Sequence, residues 1–299
     1  NLESPKWFQD ALEQKPESQS IEVDGANINY LTWGKKENPG ILFVHGGMAH
    51  AHWWSFIAPF FAKTHRVIAM NLSGMGDSDW RDNYASELWG KEIVEVAKHE
   101  KLTKPIIVGH SLGGMCSVVA ASQFKEELYG LVIVDTAIMP PSEIPDKFDF
   151  KIKANKTYKS IEDAKSRFRL VPSQGNSLDY IMDFIADKSL RKVDDGWTWK
   201  FDPTYMSIFN TDGFKARQAI LSDKLAGLEC RVAVFRGEKS MLFSESASKY
   251  MRELTNKKTP IIAIPEAHHH IMVDQPLALI SALRVLVTDW DHSKPAKAD

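Results

Sequence analysis

The chain has 299 residues, of which 43% are hydrophobic and 25% charged, a balance typical of a globular protein with a large core. Its 37 Lys and Arg nearly match its 39 Asp and Glu, so the net charge is −2 and nothing indicates a nucleic-acid or anionic-membrane partner. No stretch approaches the roughly 18–20 continuous apolar residues of a membrane span, and the two cysteines, Cys116 and Cys230, are too few for a disulfide framework.

The chain begins NLESPKWFQDALEQKPESQ, without the basic start and apolar run of a signal peptide, so we expect a cytoplasmic protein. Seven apolar, β-branched runs then predict strands. They are INYLTWG (28–34), ILFVHGG (41–47), RVIAMNL (66–72), PIIVGHS (105–111), LVIVDTA (131–137), RVAVFRG (231–237) and TPIIAIP (259–265). Several of these runs are apolar on both faces, as in strands that are covered on both sides of a sheet. Apolar residues at helical spacing predict helices at 87–102 and 274–290. This alternation predicts an α/β protein with a mostly parallel sheet.

One region interrupts the alternation. From residue 138 to 213 there is no buried-strand pattern, and two helices are predicted around SIEDAKSRFRL and SLDYIMDFIADKSL, followed by the aromatic segment DGWTWKFDP. A long insertion in a compact domain is usually functional. We therefore predict a mainly helical cap at 138–213 over the carboxyl ends of the strands, between two parts of the core at 1–137 and 214–299.

The stretch GHSLG at 109–113 matches the pattern Gly-x-Ser-x-Gly, and it follows a predicted strand and precedes a predicted helix. A sharp turn between strand and helix exposes its middle residue, which here is Ser111. A glycine-rich helix start with an ordinary serine is the alternative, and the strand–turn–helix context disfavours it. We therefore predict that Ser111 is a nucleophile.

The stretch VHGGM at 44–48 follows another predicted strand. Acyl transfer develops an oxyanion, which two preorganised backbone N–H groups stabilise. We expect one N–H from Leu112, the residue after the nucleophile, and the other from Gly47. The two glycines are also consistent with a tight turn.

Taken together, HGG, NLSGMGDSDWR (71–81), GHSLGG and HHHIMVDQP (268–276) resemble the serine-nucleophile branch of the α/β-hydrolase superfamily. The resemblance runs in the family's order from about residue 21 to 290. It implies the α/β-hydrolase fold, a mostly parallel central sheet flanked by helices, with a cap inserted after the sixth strand.

Three consecutive histidines stand at 268–270. Relatives place the catalytic histidine in this loop, shortly before an acidic-Gln-Pro helix start, and this implies that His269 is the general base. A zinc site is the alternative, but adjacent residues in a loop point in different directions and no CxxC or HExxH accompanies them. We expect no metal, with His268 and His270 packing in the loop or lining the pocket.

The acid of the site departs from the common pattern. Most relatives supply it after the strand that here reads CRVAVFRG, where this chain has Ser240 and Met241. Some relatives carry the acid after the preceding strand, which here implies Asp135. Glu238 is a second candidate, and an acid-free dyad or an acid from the cap is a third.

Six apolar or aromatic residues near the oxyanion loop or in the cap are candidates for an apolar substrate pocket. They are Met48, Trp53, Trp54, Phe168, Trp197 and Trp199. By position they favour small or medium acyl chains, and each is equally consistent with packing in the cap.

The resemblance implies a serine hydrolase of carboxylic esters. Ser111 would attack the carbonyl, His269 would move the proton and Asp135 would orient His269, while Gly47 and Leu112 hold the oxyanion. No cofactor is expected, the partner is a small-molecule ester, and a homo-oligomer is compatible with the sequence. The same fold supports C–C bond, thioester or amide hydrolysis, and some relatives bind a ligand without turnover.

Overall fold

A computed structural model describes residues 3–124, 128–145, 153–209 and 213–293. Strands are β1 (Glu17–Val23), β2 (Ala26–Trp33), β3 (Pro39–Val44), β4 (Arg66–Met70), β5 (Thr103–His110), β6 (Gly130–Val134), β7 (Leu190–Val193), β8 (Gly196–Trp199), β9 (Arg231–Gly237) and β10 (Ile261–Ile264). Helices are α1 (Lys6–Glu13), α2 (Ser86–His99), α3 (Leu112–Phe124), α4 (Ile161–Ser166), α5 (Asp179–Lys188), α6 (Gly213–Ala226), α7 (Glu245–Leu254), α8 (Ile271–Asp274) and α9 (Pro276–His292). Within these ranges, no helix has the length and apolarity needed to cross a membrane.

Eight strands form one sheet in the order β1-β2-β4-β3-β5-β6-β9-β10. The pairs β1–β2 and β2–β4 are antiparallel, and all other neighbours are parallel. All seven predicted strands lie in this sheet, so the prediction of a mostly parallel sheet is confirmed. β1 is not among the predicted strands, because its residues are largely exposed at the sheet edge and carry no apolar run.

The sheet separates two hydrophobic cores. Along β3, Ile41 and Phe43 pack on one side with α1 and α9, while Leu42 and Val44 pack on the other with α2, α3, α6 and α7. This is the two-residue alternation of a strand that is buried on both faces. The parallel register brings the carboxyl ends of β3, β5, β6 and β9 to one edge, where Val44 pairs with Gly109, and His110 with Val134.

The segment between β6 and α6 corresponds to the predicted cap. Its described residues form α4, α5, the hairpin β7–β8 and two short 3-10 helices, while 146–152 and 210–212 lie outside the described residues. The hairpin is a departure from the predicted, mainly helical composition. Leu170, Ile181 and Ile185 anchor the segment in the core that α1 and α9 share. We propose that this segment, residues 138–213, acts as the cap.

Trp54 belongs to the core and not to a pocket. Its side chain is fully buried and stacks on Phe43, with ring centres 4.8 Å apart. The prediction that Trp54 lines the substrate pocket is therefore wrong. It lies in a 3-10 helix (Ala51–Trp54) that packs against the sheet, so its side chain turns inward.

We predict that Trp54→Ala lowers the free energy of unfolding by about 3–5 kcal/mol, since it removes a large side chain from a closed core. Substrate preference should not change. Chemical denaturation beside Trp54→Phe, which keeps an aromatic ring, measures the effect. A changed acyl-chain preference at unchanged stability would contradict the core placement.

Candidate active site

Ser111 occupies a sharp turn between β5 and α3. Its φ is +54°, in the left-handed region that non-glycine residues rarely adopt. A Cβ at Gly109 would overlap Oγ of Ser117, and a Cβ at Gly113 would overlap the carbonyl oxygen of His45. The turn therefore needs glycine at both positions, which explains the spacing of the motif.

Two further residues at this edge of the sheet share the left-handed conformation. Met48 has φ +58° and Asp135 has φ +45°. Each such conformation costs on the order of 1–3 kcal/mol and persists where the surroundings fix it. The N–H of Ser111 donates to the carbonyl of Val134 at 3.1 Å, and the N–H of Asp135 donates to the carbonyl of Phe235 at 2.7 Å. The parallel strands thus hold the strained turns in place.

The loop after β10 places an imidazole between the serine and a carboxylate. Nε2 of His269 lies 3.1 Å from Oγ of Ser111, and Nδ1 lies 2.7 Å from Oδ2 of Asp135. Because a carboxylate only accepts hydrogen bonds, Nδ1 carries the proton and the lone pair of Nε2 faces the serine hydroxyl. The side chains of His269 and Asp135 are 4% and 0% exposed. This arrangement is chemically competent to activate a serine.

The carboxylate of Asp135 has partners on both oxygens. The N–H of Gly237 donates to Oδ1 at 2.7 Å, and the hydroxyl of Ser240 donates to Oδ2 at 2.6 Å. Ser240 is one of the two residues at the position where the resemblance places the acid, and here its hydroxyl binds the carboxylate that follows the neighbouring strand β6. Glu238, the other candidate acid, is exposed and accepts the N–H of Glu266 at 2.9 Å. The structure thus brings Asp135, and not Glu238, to the imidazole.

The two predicted oxyanion donors are Gly47 in the loop after β3 and Leu112 at the start of α3, and both line the cavity at Ser111. No described residue accepts a hydrogen bond from the N–H of Gly47 or of Leu112. His45 holds the first loop, because its Nδ1 donates to the carbonyl of Gly46 at 2.7 Å and its Nε2 accepts the N–H of Leu72 at 3.1 Å. Burial lowers the pKa of His45 to about 4, so the imidazole is neutral at pH 7 and makes both contacts.

Of the three consecutive histidines, only His269 reaches the serine. The N–H and Nδ1 of His268 lie 2.7 Å and 2.9 Å from Oδ2 of Asp274. His270 is buried, and its N–H donates to Oε1 of Gln174 in the cap segment at 2.8 Å. Asp274 and Gln174 thus fix the loop from opposite sides, and the sequence analysis assigned neither of them that role.

The sequence from β3 into α9 matches a known family. Residues 41–283 correspond to the alpha/beta hydrolase family. The chain belongs to the alpha/beta hydrolase family.

Individual hydrolases resemble the chain along most of its length. Esterase Rv0045c of Mycobacterium tuberculosis is 24% identical over 276 residues, which cover 88% of this chain and 87% of that protein. The structure of E-2-(acetamidomethylene)succinate hydrolase aligns with a TM-score of 0.76 at 19% identity, over 91% of this chain and 99% of its own. The structure of a thioesterase domain from the curacin biosynthetic pathway aligns with a TM-score of 0.75 at 19% identity, over 90% of this chain and 99% of its own. At such identities the structural likeness establishes the fold alone.

This α/β-hydrolase has a cavity of about 390 Å³ at Ser111. Its lining is largely apolar and rich in flexible side chains, among them Met48, Met115, Met139 and Met206. Among the described residues that line it, Asp135 is the sole Asp, Glu, Lys or Arg. The cavity is therefore suited to an uncharged, apolar group next to the serine.

The predicted pocket residues divide between two cavities. Met48 and Trp53 line the cavity at the serine, while Phe168 and Trp199 line a second one of about 200 Å³ that shares Met48 and Trp53 with the first. Trp197 lines neither. It stands two residues before Trp199 in β8, about 7 Å farther along the strand, so its prediction as a pocket residue is wrong.

Tyr205 is a cavity residue that the sequence analysis missed. It lies in the 3-10 helix Pro203–Phe209 of the cap segment, and its hydroxyl is so close to Gly47 that a Cβ there would collide with it. Burial raises the pKa of Tyr205 well above its usual value, so the hydroxyl stays protonated at neutral pH. No motif marks this position, and only the aromatic character of PTYMSIF indicates a packed segment.

If Asp135 is the acid, Asp135→Asn should lower kcat by about 10⁴-fold, because the wrong imidazole tautomer would then face Ser111. Glu238→Gln should keep near-full activity. Steady-state kinetics on a chromogenic ester measures both, with circular dichroism as a control for folding. A near-normal Asp135→Asn beside an inactive Glu238→Gln would reverse the assignment.

A second prediction concerns Ser240. Hydrogen bonds to charged groups contribute roughly 1.5–3 kcal/mol, so Ser240→Ala should lower kcat by at least about 10-fold with little effect on KM. Ser240→Thr keeps the hydroxyl and should restore most of the rate. Equal rates for the alanine and threonine variants would show that the hydroxyl does not support the acid.

Proposed function

We propose that the protein is a serine hydrolase that cleaves carboxylic esters through an acyl-enzyme. The observation that carries the proposal is the buried chain of contacts from Ser111 through His269 to Asp135. Ser111 Oγ attacks the ester carbonyl while Nε2 of His269 takes its proton. The same imidazole returns the proton to the departing alcohol oxygen, and the carbonyl carbon stays bonded to Ser111.

The second half of the cycle uses the same groups. His269 removes a proton from a water molecule, whose oxygen attacks the acyl carbon, and the proton then passes to Oγ as the carboxylic acid leaves. In both steps the N–H groups of Gly47 and Leu112 donate to the carbonyl oxygen as it becomes negative. Asp135 keeps the proton on Nδ1 and stabilises the imidazolium that forms. No cofactor takes part in the proposed cycle.

The cavity supports a neutral substrate. A volume of about 390 Å³ is within the usual range for small-molecule sites, and its described lining offers methionine and aromatic side chains without Lys or Arg. An acyl chain of small or medium length is the group that this surface favours. The similarity to Esterase Rv0045c supports ester hydrolysis over the thioester, amide and C–C reactions that the same residues could perform.

A substrate panel tests the proposal. Purified protein and Ser111→Ala are assayed with p-nitrophenyl esters of two to twelve acyl carbons, an acyl-thioester, an anilide and a vinylogous diketone. We expect the highest kcat/KM on an ester of short or medium chain and no turnover by Ser111→Ala. Hydrolysis of the diketone or thioester alone would replace the proposed substrate class, and tight ligand binding without any product would support a non-catalytic role.

A further inference from the structure

Three buried imidazoles meet behind the nucleophile. His110 ends β5, directly before Ser111, and His269 and His270 come from the loop after β10. One ring nitrogen of each lies within 4.8 Å of the other two. The three residues are 1%, 3% and 5% exposed, and the ring centres are 4.7–5.5 Å apart. The end of β5 and a loop far away in sequence thus build one compact cluster.

The cluster contains lone pairs that the proposed catalytic cycle does not use. Nε2 of His110 donates to the carbonyl oxygen of His269 at 2.9 Å, which leaves Nδ1 of His110 as the nitrogen that can bind an ion. Neither ring nitrogen of His270 makes a hydrogen bond of ordinary distance and angle in the part of the chain that the structure describes, although the backbone of Val171 and Pro172 lies close enough to interact with the ring. Buried polar atoms without a partner are rare and call for an explanation.

We propose that His110, His269 and His270 form a binding site for one Zn²⁺ ion. Three neutral imidazoles with an open fourth position are a ligand set that Zn²⁺ adopts in proteins. All three residues line the cavity at Ser111, so the fourth position faces that cavity. Tetrahedral bonds of about 2.0–2.1 Å require nitrogens ~3.4 Å apart. The nitrogens therefore need to approach one another by at most about 1.4 Å when the ion binds.

An ion at this site blocks the proposed activity. Nδ1 of His269 is held by Asp135, so the nitrogen left for the metal is Nε2, the one that faces Ser111. A metal-bound Nε2 has no lone pair to accept the serine proton. Asp135 takes the place of the carboxylate that commonly orients a metal-bound histidine. The blocking effect rests on the proposed function, whereas ion binding does not.

His268 provides a matched control. The three consecutive histidines do not converge on one zinc site, because His268 contacts Asp274 and lines neither cavity. The proposed site instead combines His269 and His270 with His110, which lies more than 150 positions earlier in the sequence. A metal held by the three consecutive histidines would need His268, and a metal held by the buried cluster would not.

Calorimetry separates these cases. ZnCl₂ is titrated at pH 7 into EDTA-treated and desalted wild type, His268→Gln and His270→Phe, the last of which keeps a ring against Trp53. We expect one zinc site of equal affinity in wild type and His268→Gln, and zinc affinity at least about tenfold weaker in His270→Phe. The reason is that loss of a residue that only supports a metal ligand already lowers metal affinity by about 10–100-fold. Equal binding by all three proteins, or none by wild type, would overturn the proposal. His270→Asn replaces His270→Phe if the latter does not fold.

Ester hydrolysis at increasing ZnCl₂, followed by EDTA, completes the test. Wild type and His268→Gln should lose activity as zinc is added and regain it with EDTA. His270→Phe, measured against its own metal-free rate, should need at least about tenfold more zinc for the same fractional loss of activity. Zinc binding at the cluster in a protein that hydrolyses no ester would refute the proposed function and leave the site standing. Ester hydrolysis that zinc does not inhibit would refute the site alone.

Discussion

The contact between the buried carboxylate of Asp135 and the imidazole of His269 is the constraint on which the site depends. A carboxylate that is fully removed from water costs several kcal/mol unless hydrogen bonds compensate for it. Here the compensation comes from His269 in the loop after β10, Gly237 at the end of β9 and Ser240 in the loop after β9. The sheet order β6-β9-β10 places these loops side by side. In this way the register of the parallel strands determines which imidazole nitrogen faces Ser111.

The same edge of the sheet explains how the cap segment is attached to the site. Gln174 contacts the histidine loop through the backbone of His270, in both directions, at 2.8 Å and 3.3 Å. Tyr205 packs against Gly47 on the opposite side of the cavity. The cap segment therefore contacts both the proposed base loop and the proposed oxyanion loop. A movement of this segment would change the geometry of both loops together.

Much of the fold could be predicted because strands buried on both faces leave long apolar runs, as ILFV and LVIV do. β1 could not be predicted, since an exposed edge strand has no such run. Ser111 and His269 stand in local motifs, and the structure brings them together with Asp135. The roles of Ser240 and Gln174 depend on which loops become neighbours in space, and neither residue belongs to a motif. Trp54 was misplaced because sequence position near a loop does not determine which way a ring turns.

The central claim is that this arrangement activates Ser111, and a fluorophosphonate tests it most directly. Only an activated serine displaces fluoride from the phosphorus at a useful rate, and the adduct adds a fixed mass to the intact protein. The account predicts one adduct on the wild type after brief exposure and none on Ser111→Ala. Folded wild type that stays unlabelled, or equal labelling of both proteins, would contradict it.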